Sequence, residues 1–216
     1  MSTSILSHIV DRTIRRWPHR GKLAAAALGV ALAATSAAAA IVGTAPVFVQ
    51  VSPAPVSVAP LGLESDTNLF SFNERQCLQA PAGGIATDNG VIAAGTWVSC
   101  HFLHGQPVTQ LLLNGQVLFN GPILGVISTS AGLDATDPTA ICGVPGTTYP
   151  TGQPFRGLEA GMADAYTIVA GGFGINATMQ VPPNSFQDQI RVITRCCPNG
   201  PGGACPGAPP GQCDLH

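Results

Sequence analysis

The sequence predicts an all-β protein, folded as an antiparallel β-sandwich, and two observations carry that prediction. Short segments rich in β-branched and aromatic residues recur along the chain, and turn residues separate them, with 26 Gly and 19 Pro among 216 residues. Beyond residue 40, no stretch places apolar residues at the 3.6-residue spacing of a helix. Many short strands joined by Gly- and Pro-rich turns are typical of sandwiches, and a jelly roll is one topology that fits.

Residues 1–40 are predicted to be a signal peptide. Five basic residues lie between positions 12 and 22, an uncharged Ala-rich run covers 23–42, and Ala38 and Ala40 form a small-residue cleavage site. The run is long enough to cross a bilayer, so an uncleaved anchor stays open as an alternative. We predict cleavage, and therefore a protein that is secreted or held in the cell envelope, with no membrane association after cleavage.

Removal of this leader would change the charge of the chain. Five of the nine basic side chains and one of the eleven acidic side chains lie in residues 1–40, so four basic and ten acidic ones remain, a net charge of −6. Proteins that bind nucleic acid need clustered Lys and Arg side chains to neutralise phosphates. This composition therefore argues against a nucleic-acid partner.

The remaining chain divides into three predicted regions. Residues 41–60 are Pro-rich and suit a linker or an edge strand, because Pro cannot donate to a strand ladder. The sandwich is expected over 61–195, with strands at 68–73, 95–104, 108–113, 116–119, 122–129, 165–170, 175–181 and 189–194. Asn114-Gly115 and Gly171–Gly174 are predicted hairpin turns. Residues 196–216 are predicted to be an irregular tail rich in Cys, Gly and Pro.

Seven cysteines suggest disulfides, which are the default in an exported chain. The number is odd, so one thiol is left over, and the sequence leaves the connectivity open. The candidates are Cys77, Cys100, Cys142, Cys196, Cys197, Cys205 and Cys213.

Three stretches together resemble a family of exported bacterial β-domains of unassigned function. They are Leu118–Ile127 (LFNGPILGVI), Pro145–Gly152 (PGTTYPTG) followed by Arg156–Glu159 (RGLE), and Asp188–Thr194 (DQIRVIT). The resemblance covers about 61–194 and implies an exported sandwich domain with no catalytic residues to transfer. Members often carry a C-terminal sorting signal of the Pro-Glu-Pro type, whereas this chain has the cysteine-rich tail at that position.

The long segment 130–163 is where the sequence places function, since binding residues are concentrated on loops. The acidic residues in and beside this segment suggest calcium as a cofactor, with Asp134, Asp137 and Asp164 as ligands, because Ca²⁺ prefers carboxylate and carbonyl oxygens. Ordinary turn chemistry, in which an Asp caps its own backbone, is the alternative. Arg156 is expected to pair with Glu159 or Asp164.

A ligand-binding surface is predicted at Tyr149, Phe155, Arg156 and Glu159. Aromatic rings in a loop suit stacking on sugars, so the leading hypothesis is a non-catalytic extracellular module that binds carbohydrate or another cell-surface polymer. One alternative is a polysaccharide hydrolase that uses Glu159 and a nearby Asp as its carboxyl pair. Another is a structural envelope protein cross-linked through the tail cysteines.

Overall fold

The computed structural model describes residues 39–109, 111–182 and 187–196, and it confirms an all-β fold. The strands of this part of the chain are β1 (Ile41–Ala45), β2 (Phe48–Gln50), β3 (Leu69–Asn73), β4 (Leu78–Gln79), β5 (Ile85–Thr87), β6 (Gly90–Ile92), β7 (Trp97–Gly105), β8 (Leu111–Phe119), β9 (Ile123–Ile127), β10 (Ala165–Val169), β11 (Gly174–Val181) and β12 (Asp188–Arg195). One short helix, α1 (Ser130–Thr136), and a single 3-10 turn (Ala170–Gly172) accompany them.

The strands form two main sheets. One has the order β1-β8-β11-β10, and the other has the order β2-β3-β7-β12-β9, with β4 also paired to β7. Every pairing within them is antiparallel except β2 with β3, which is parallel, so the second sheet is mixed. The small hairpin β5–β6 forms a two-stranded sheet of its own.

The core has two parts, one on each face of the six-stranded sheet. The first lies between the two main sheets and includes Val117, Ile175 and Val192. The second lies on the opposite face and includes Phe102, Leu133 and Ile193, under α1 and the β5–β6 hairpin. Strand β12 is therefore buried on both faces, although its sequence, DQIRVITR, is largely polar.

The Pro-rich segment 41–60 supplies two edge strands. β1 lies at the edge of the four-stranded sheet, and β2 lies at the edge of the six-stranded sheet. Ile41 and Phe48 are buried in the core between the sheets. The sandwich thus extends N-terminal to the predicted start at Leu61.

The predicted hairpin at Asn114-Gly115 is wrong, because both residues lie inside the continuous strand β8. Glycine is needed there for close packing rather than for a turn: a Cβ at Gly115 would lie 2.7 Å from Cδ2 of Phe48 and 2.9 Å from Cγ2 of Val47. The second predicted hairpin is confirmed, since β10 and β11 pair across the 3-10 turn and Gly171 has a φ of 66°.

Two disulfides join distant parts of the fold. Cys77 pairs with Cys196 across a sequence separation of 119 residues, and Cys100 pairs with Cys142 across 42 residues. Cys196 is therefore engaged within the chain and cannot serve as an intermolecular cross-link. Cys197, Cys205 and Cys213 lie outside the described residues. Within the described part of the chain, no helix has the length and apolar character needed to cross a bilayer.

Candidate functional site

A group of buried charges ties segment 130–163 to the six-stranded sheet. Arg191 of β12 is fully buried, and its Nε and Nη2 donate to the two carboxylate oxygens of Glu74 at 2.7 Å each. Its Nη2 also donates to Asp137 at 3.2 Å, and its Nη1 donates to the Thr136 hydroxyl. A bidentate guanidinium–carboxylate contact of this kind fixes both partners in position.

Arg156 is the second buried cation of this group. Its Nη1 lies 2.7 Å from Asp134 and 2.5 Å from Asp137, and its Nε donates to Gln189 of β12 at 2.9 Å. The prediction that Arg156 pairs with Glu159 or Asp164 is therefore wrong. We call Glu74, Asp134, Asp137, Arg156 and Arg191 the arginine network.

This network revises two of the predicted sites. Asp134 and Asp137 are bound to a guanidinium, and the structure does not bring Asp164 to them, so these three residues do not form the predicted calcium site. Arg156 is fully buried and lies out of reach of a ligand. Its function is to hold the loop, together with Ser130, whose hydroxyl accepts the backbone N–H groups of Arg156 and Gly157.

Tyr149 also belongs to the interior. Its hydroxyl donates to Glu74 at 2.7 Å, its ring packs edge-on against Phe102, and the Arg191 guanidinium lies 5.5 Å from its ring centroid. The prediction that Tyr149 shares a binding surface with Phe155 is therefore revised, because the tyrosine ring has its protein partners already.

Phe155 and Glu159, the other two predicted ligand residues, line one pocket of about 480 Å³. Ala160, Gly161, Met162 and Pro182 complete its lining. Phe155 is 58% exposed although its neighbour Arg156 is fully buried. Its backbone has a φ of 59°, in the left-handed region that residues other than Gly seldom adopt. The arginine network thus anchors the loop just beside the ring that it exposes.

Glu159 has two acidic neighbours, Asp164 and Asp188, and we call these three residues the carboxylate cluster. One oxygen from each lies within 4.8 Å of the others. Asp164 is held by backbone donors: its Oδ1 accepts from Gln180 N at 2.6 Å and its Oδ2 accepts from Glu159 N at 3.2 Å. Asp188, at the start of β12, is only 1% exposed.

Strand periodicity separates the cluster from the network. Alternate residues of a strand point to opposite faces, and Ile190 and Val192 belong to the core between the sheets. Asp188 shares that face, whereas Gln189 and Arg191 share the other face and contact the network. The carboxylate cluster and the arginine network therefore lie on opposite faces of β12.

Burial and mutual repulsion perturb the carboxylate cluster. Burial raises the pKa of Asp188 to about 9, and the nearby carboxylates of Asp164 and Glu159 add to the rise. Burial likewise raises the pKa of Glu159 to about 7, with a further contribution from Asp164. Near neutral pH the cluster therefore retains protons unless a cation compensates its charge.

Sequence reasoning missed Asp188 and Glu74. Asp188 stands only at the start of the predicted strand motif Asp188–Thr194, and nothing local in the sequence marks Glu74. One signal was available for both: the chain beyond residue 40 has ten acidic and four basic side chains, so acidic groups without basic partners were to be expected. Which ones they are depends on pairings between distant residues.

Comparison with family models, with curated proteins and with solved structures finds no match to this chain.

Proposed function

We propose that this protein is an exported, non-catalytic module that binds carbohydrate through the pocket of Phe155, Glu159 and Met162. The observation that carries the proposal is the placement of Phe155. An exposed aromatic ring, held in a strained backbone conformation beside a fully buried arginine, is a costly arrangement for a residue without a function.

The pocket has the chemistry of a sugar subsite. A pyranose ring presents an apolar C–H face and a rim of hydroxyl groups. The Phe155 ring and the Met162 side chain supply an apolar surface for the C–H face, and Met162 is 42% exposed. Glu159 supplies hydrogen-bond acceptors for the hydroxyl groups. Net negative charge and few basic side chains suit a neutral glycan better than an acidic one.

Export is supported by the leader and by the disulfides. A basic region, an apolar run and a small-residue site precede the fold, and two disulfides persist most readily in an oxidising compartment. The resemblance to exported bacterial β-domains points the same way. The intact mass of the protein recovered from its host tests this part: a chain that starts after residue 40 supports export, and a chain that retains residues 1–40 contradicts cleavage.

A panel of soluble polysaccharides, titrated by calorimetry, tests the ligand class. We expect at least one neutral polysaccharide to bind, and Phe155→Ala to weaken that binding at least about tenfold, since aromatic contacts dominate such sites. Leu61→Ala is the matched control, because Leu61 is also exposed and also has a positive φ, yet it lies outside the pocket. No binding across the panel, or equal binding by Phe155→Ala, would reject the proposal.

Hydrolysis is the second candidate, favoured by the position of Glu159 in the pocket and by its pKa of about 7. A carboxyl group that keeps its proton near neutral pH can donate it to a glycosidic oxygen. Asp164, within 4.8 Å, would act on the anomeric carbon, at a spacing closer to that of retaining than of inverting enzymes. Glu159→Gln separates the two functions. It should abolish turnover if the protein is a hydrolase, and it should leave polysaccharide binding intact if the protein is a binding module.

A further inference from the structure

We propose that Glu159, Asp164 and Asp188 bind one divalent cation, with calcium as the best fit. Within residues 39–109, 111–182 and 187–196, this is the only group of three acidic, His or Cys side chains close enough to share an ion. Two oxygens on the same Ca²⁺ ion are separated by at most about twice the Ca–O distance, or about 4.6–5.2 Å. The separation of at most 4.8 Å falls within that limit.

A second observation points to a ligand: a buried polar atom lacks a partner. Oδ2 of Asp188 is buried and receives no hydrogen bond, on a residue that is 1% exposed. Oε1 of Glu159 is buried as well, and no N–H or hydroxyl donor of the described residues pairs with it. An ionised carboxylate in this position is strongly unfavourable without a positive partner, so the cluster must hold either protons or a cation.

Basic side chains of the described residues do not neutralise the carboxylate cluster. Among the described residues, every ion pair involves Arg156 or Arg191, and both guanidinium groups are bound to Glu74, Asp134 and Asp137 on the other face of β12. The chain beyond residue 40 has no lysine. The positive charge that would balance the cluster therefore has to come from solution.

The arrangement suits calcium better than magnesium. Asp164 is oriented by two backbone N–H groups, so its carboxylate is already in place before an ion arrives. Glu159 lines the pocket, through which an ion can enter and water can complete the six to eight oxygens that Ca²⁺ takes. Magnesium demands a near-ideal octahedron and gives up water reluctantly, so a partly buried set of three carboxylates, of which only Glu159 lines the pocket, suits it less well.

Calorimetric titration of the full chain with CaCl₂, after treatment with EDTA, tests the proposal without any glycan. We expect one Ca²⁺ per chain with a Kd of about 10⁻⁵–10⁻³ M, and at least about tenfold weaker binding of Mg²⁺. At about a hundredfold excess over Kd, calcium should raise Tm by about 5–10 °C relative to EDTA.

Two variants and one control locate the site. Asp188→Asn and Glu159→Gln should each reduce the affinity for calcium at least about tenfold, whereas Glu64→Gln, which removes one negative charge elsewhere, should leave it unchanged. Glu159 is partly exposed, so its variant keeps the test valid if Asp188→Asn fails to fold. The proposal is overturned if the wild-type chain shows neither heat nor a Tm shift at about 10 mM CaCl₂. Unchanged affinity in both cluster variants would overturn it too.

This result is separable from the proposed function. Calcium binding without polysaccharide binding would support the cation site and reject the carbohydrate module, and the reverse outcome would do the opposite.

Discussion

The acidic side chains on the two faces of β12 differ in whether they have basic partners. On one face, the arginine network brings Glu74, Asp134 and Asp137 into contact with two guanidinium groups. On the other face, the carboxylate cluster has three acidic side chains and no basic partner among the described residues. Every carboxylate of the network contacts a guanidinium group, whereas the carboxylates of the cluster can be neutralised only by protons or a cation. The first therefore serves the structure, and the second is free to serve a ligand.

The largest expected effect breaks the network. Arg191→Met leaves Glu74 buried without its guanidinium partner, and such a loss costs about 3–5 kcal/mol of the free energy of unfolding. Urea denaturation with the disulfides intact measures it. Arg195→Met is the control on the same strand, since Arg195 is partly exposed and has no ion pair in the described part of the chain, and it should cost less than about 1 kcal/mol. Equal effects of the two variants would show that the network does not carry stability.

One substitution made on each face of β12 sharpens the comparison. Asp137→Asn removes a charge shared by both arginines and should cost about 3 kcal/mol, because hydrogen bonds to charged groups are lost. Asp188→Asn, measured in EDTA at pH 7, should instead leave stability unchanged or raise it, because folded Asp188, with its pKa raised to about 9, must take up a proton that the unfolded chain has released, whereas Asn needs none. A large loss in Asp188→Asn would mean that the carboxylate form is the stabilising one.

The pH dependence of stability in EDTA follows from the same cluster. The pKa values of Asp188 and Glu159 are raised in the folded chain, to about 9 and about 7, so the folded state holds protons that the unfolded state releases above about pH 4. Their contribution is greatest below pH 4, and it is lost progressively as the pH rises through 7 and 9.

Urea midpoints across this pH range test the sign. The midpoint of the wild-type chain should fall between pH 6 and 9, and that of Asp188→Asn should fall less. A wild-type midpoint that rises over this range would contradict the charge assignment of the cluster.

The smallest effect concerns the ring beside the cluster. Phe155 adopts a left-handed backbone conformation, which costs a residue other than Gly about 1–2 kcal/mol, and Phe155→Gly removes this cost. Part of that gain is lost because Gly gives the unfolded chain greater conformational entropy. Stability should therefore stay equal or rise by up to about 1 kcal/mol. If the variant is clearly less stable, the ring is part of the fold and its exposure is not evidence of a binding function.

Local patterns in the sequence predicted much of the fold. The alternation of Gln189–Thr194 indicated the last strand, and Gly171–Gly174 indicated the turn between β10 and β11; the structure confirms both. The failure at Asn114-Gly115 has a physical reason, since the glycine there admits the Phe48 ring from a strand 67 positions earlier in the chain. A local turn rule carries no information about such a neighbour.

The candidate site could be predicted only in part. Phe155 and Glu159 were identified, and they do share a pocket. The partners of the charged residues were not, because two decisive pairings join distant parts of the chain. Glu74 meets Arg191 across 117 residues, and Asp188 joins Glu159 only because β12 returns beside the loop. Which carboxylates meet a cation is decided by strand order, which one sequence does not disclose.

A crystal structure of the protein grown with CaCl₂, with anomalous data collected at long wavelength, tests the central claim most directly. We predict one calcium ion bonded to oxygens of Glu159, Asp164 and Asp188 at about 2.3–2.6 Å, with no ion at Asp134 and Asp137. An empty carboxylate cluster, or an ion in the arginine network instead, would contradict the distinction between the two faces of β12.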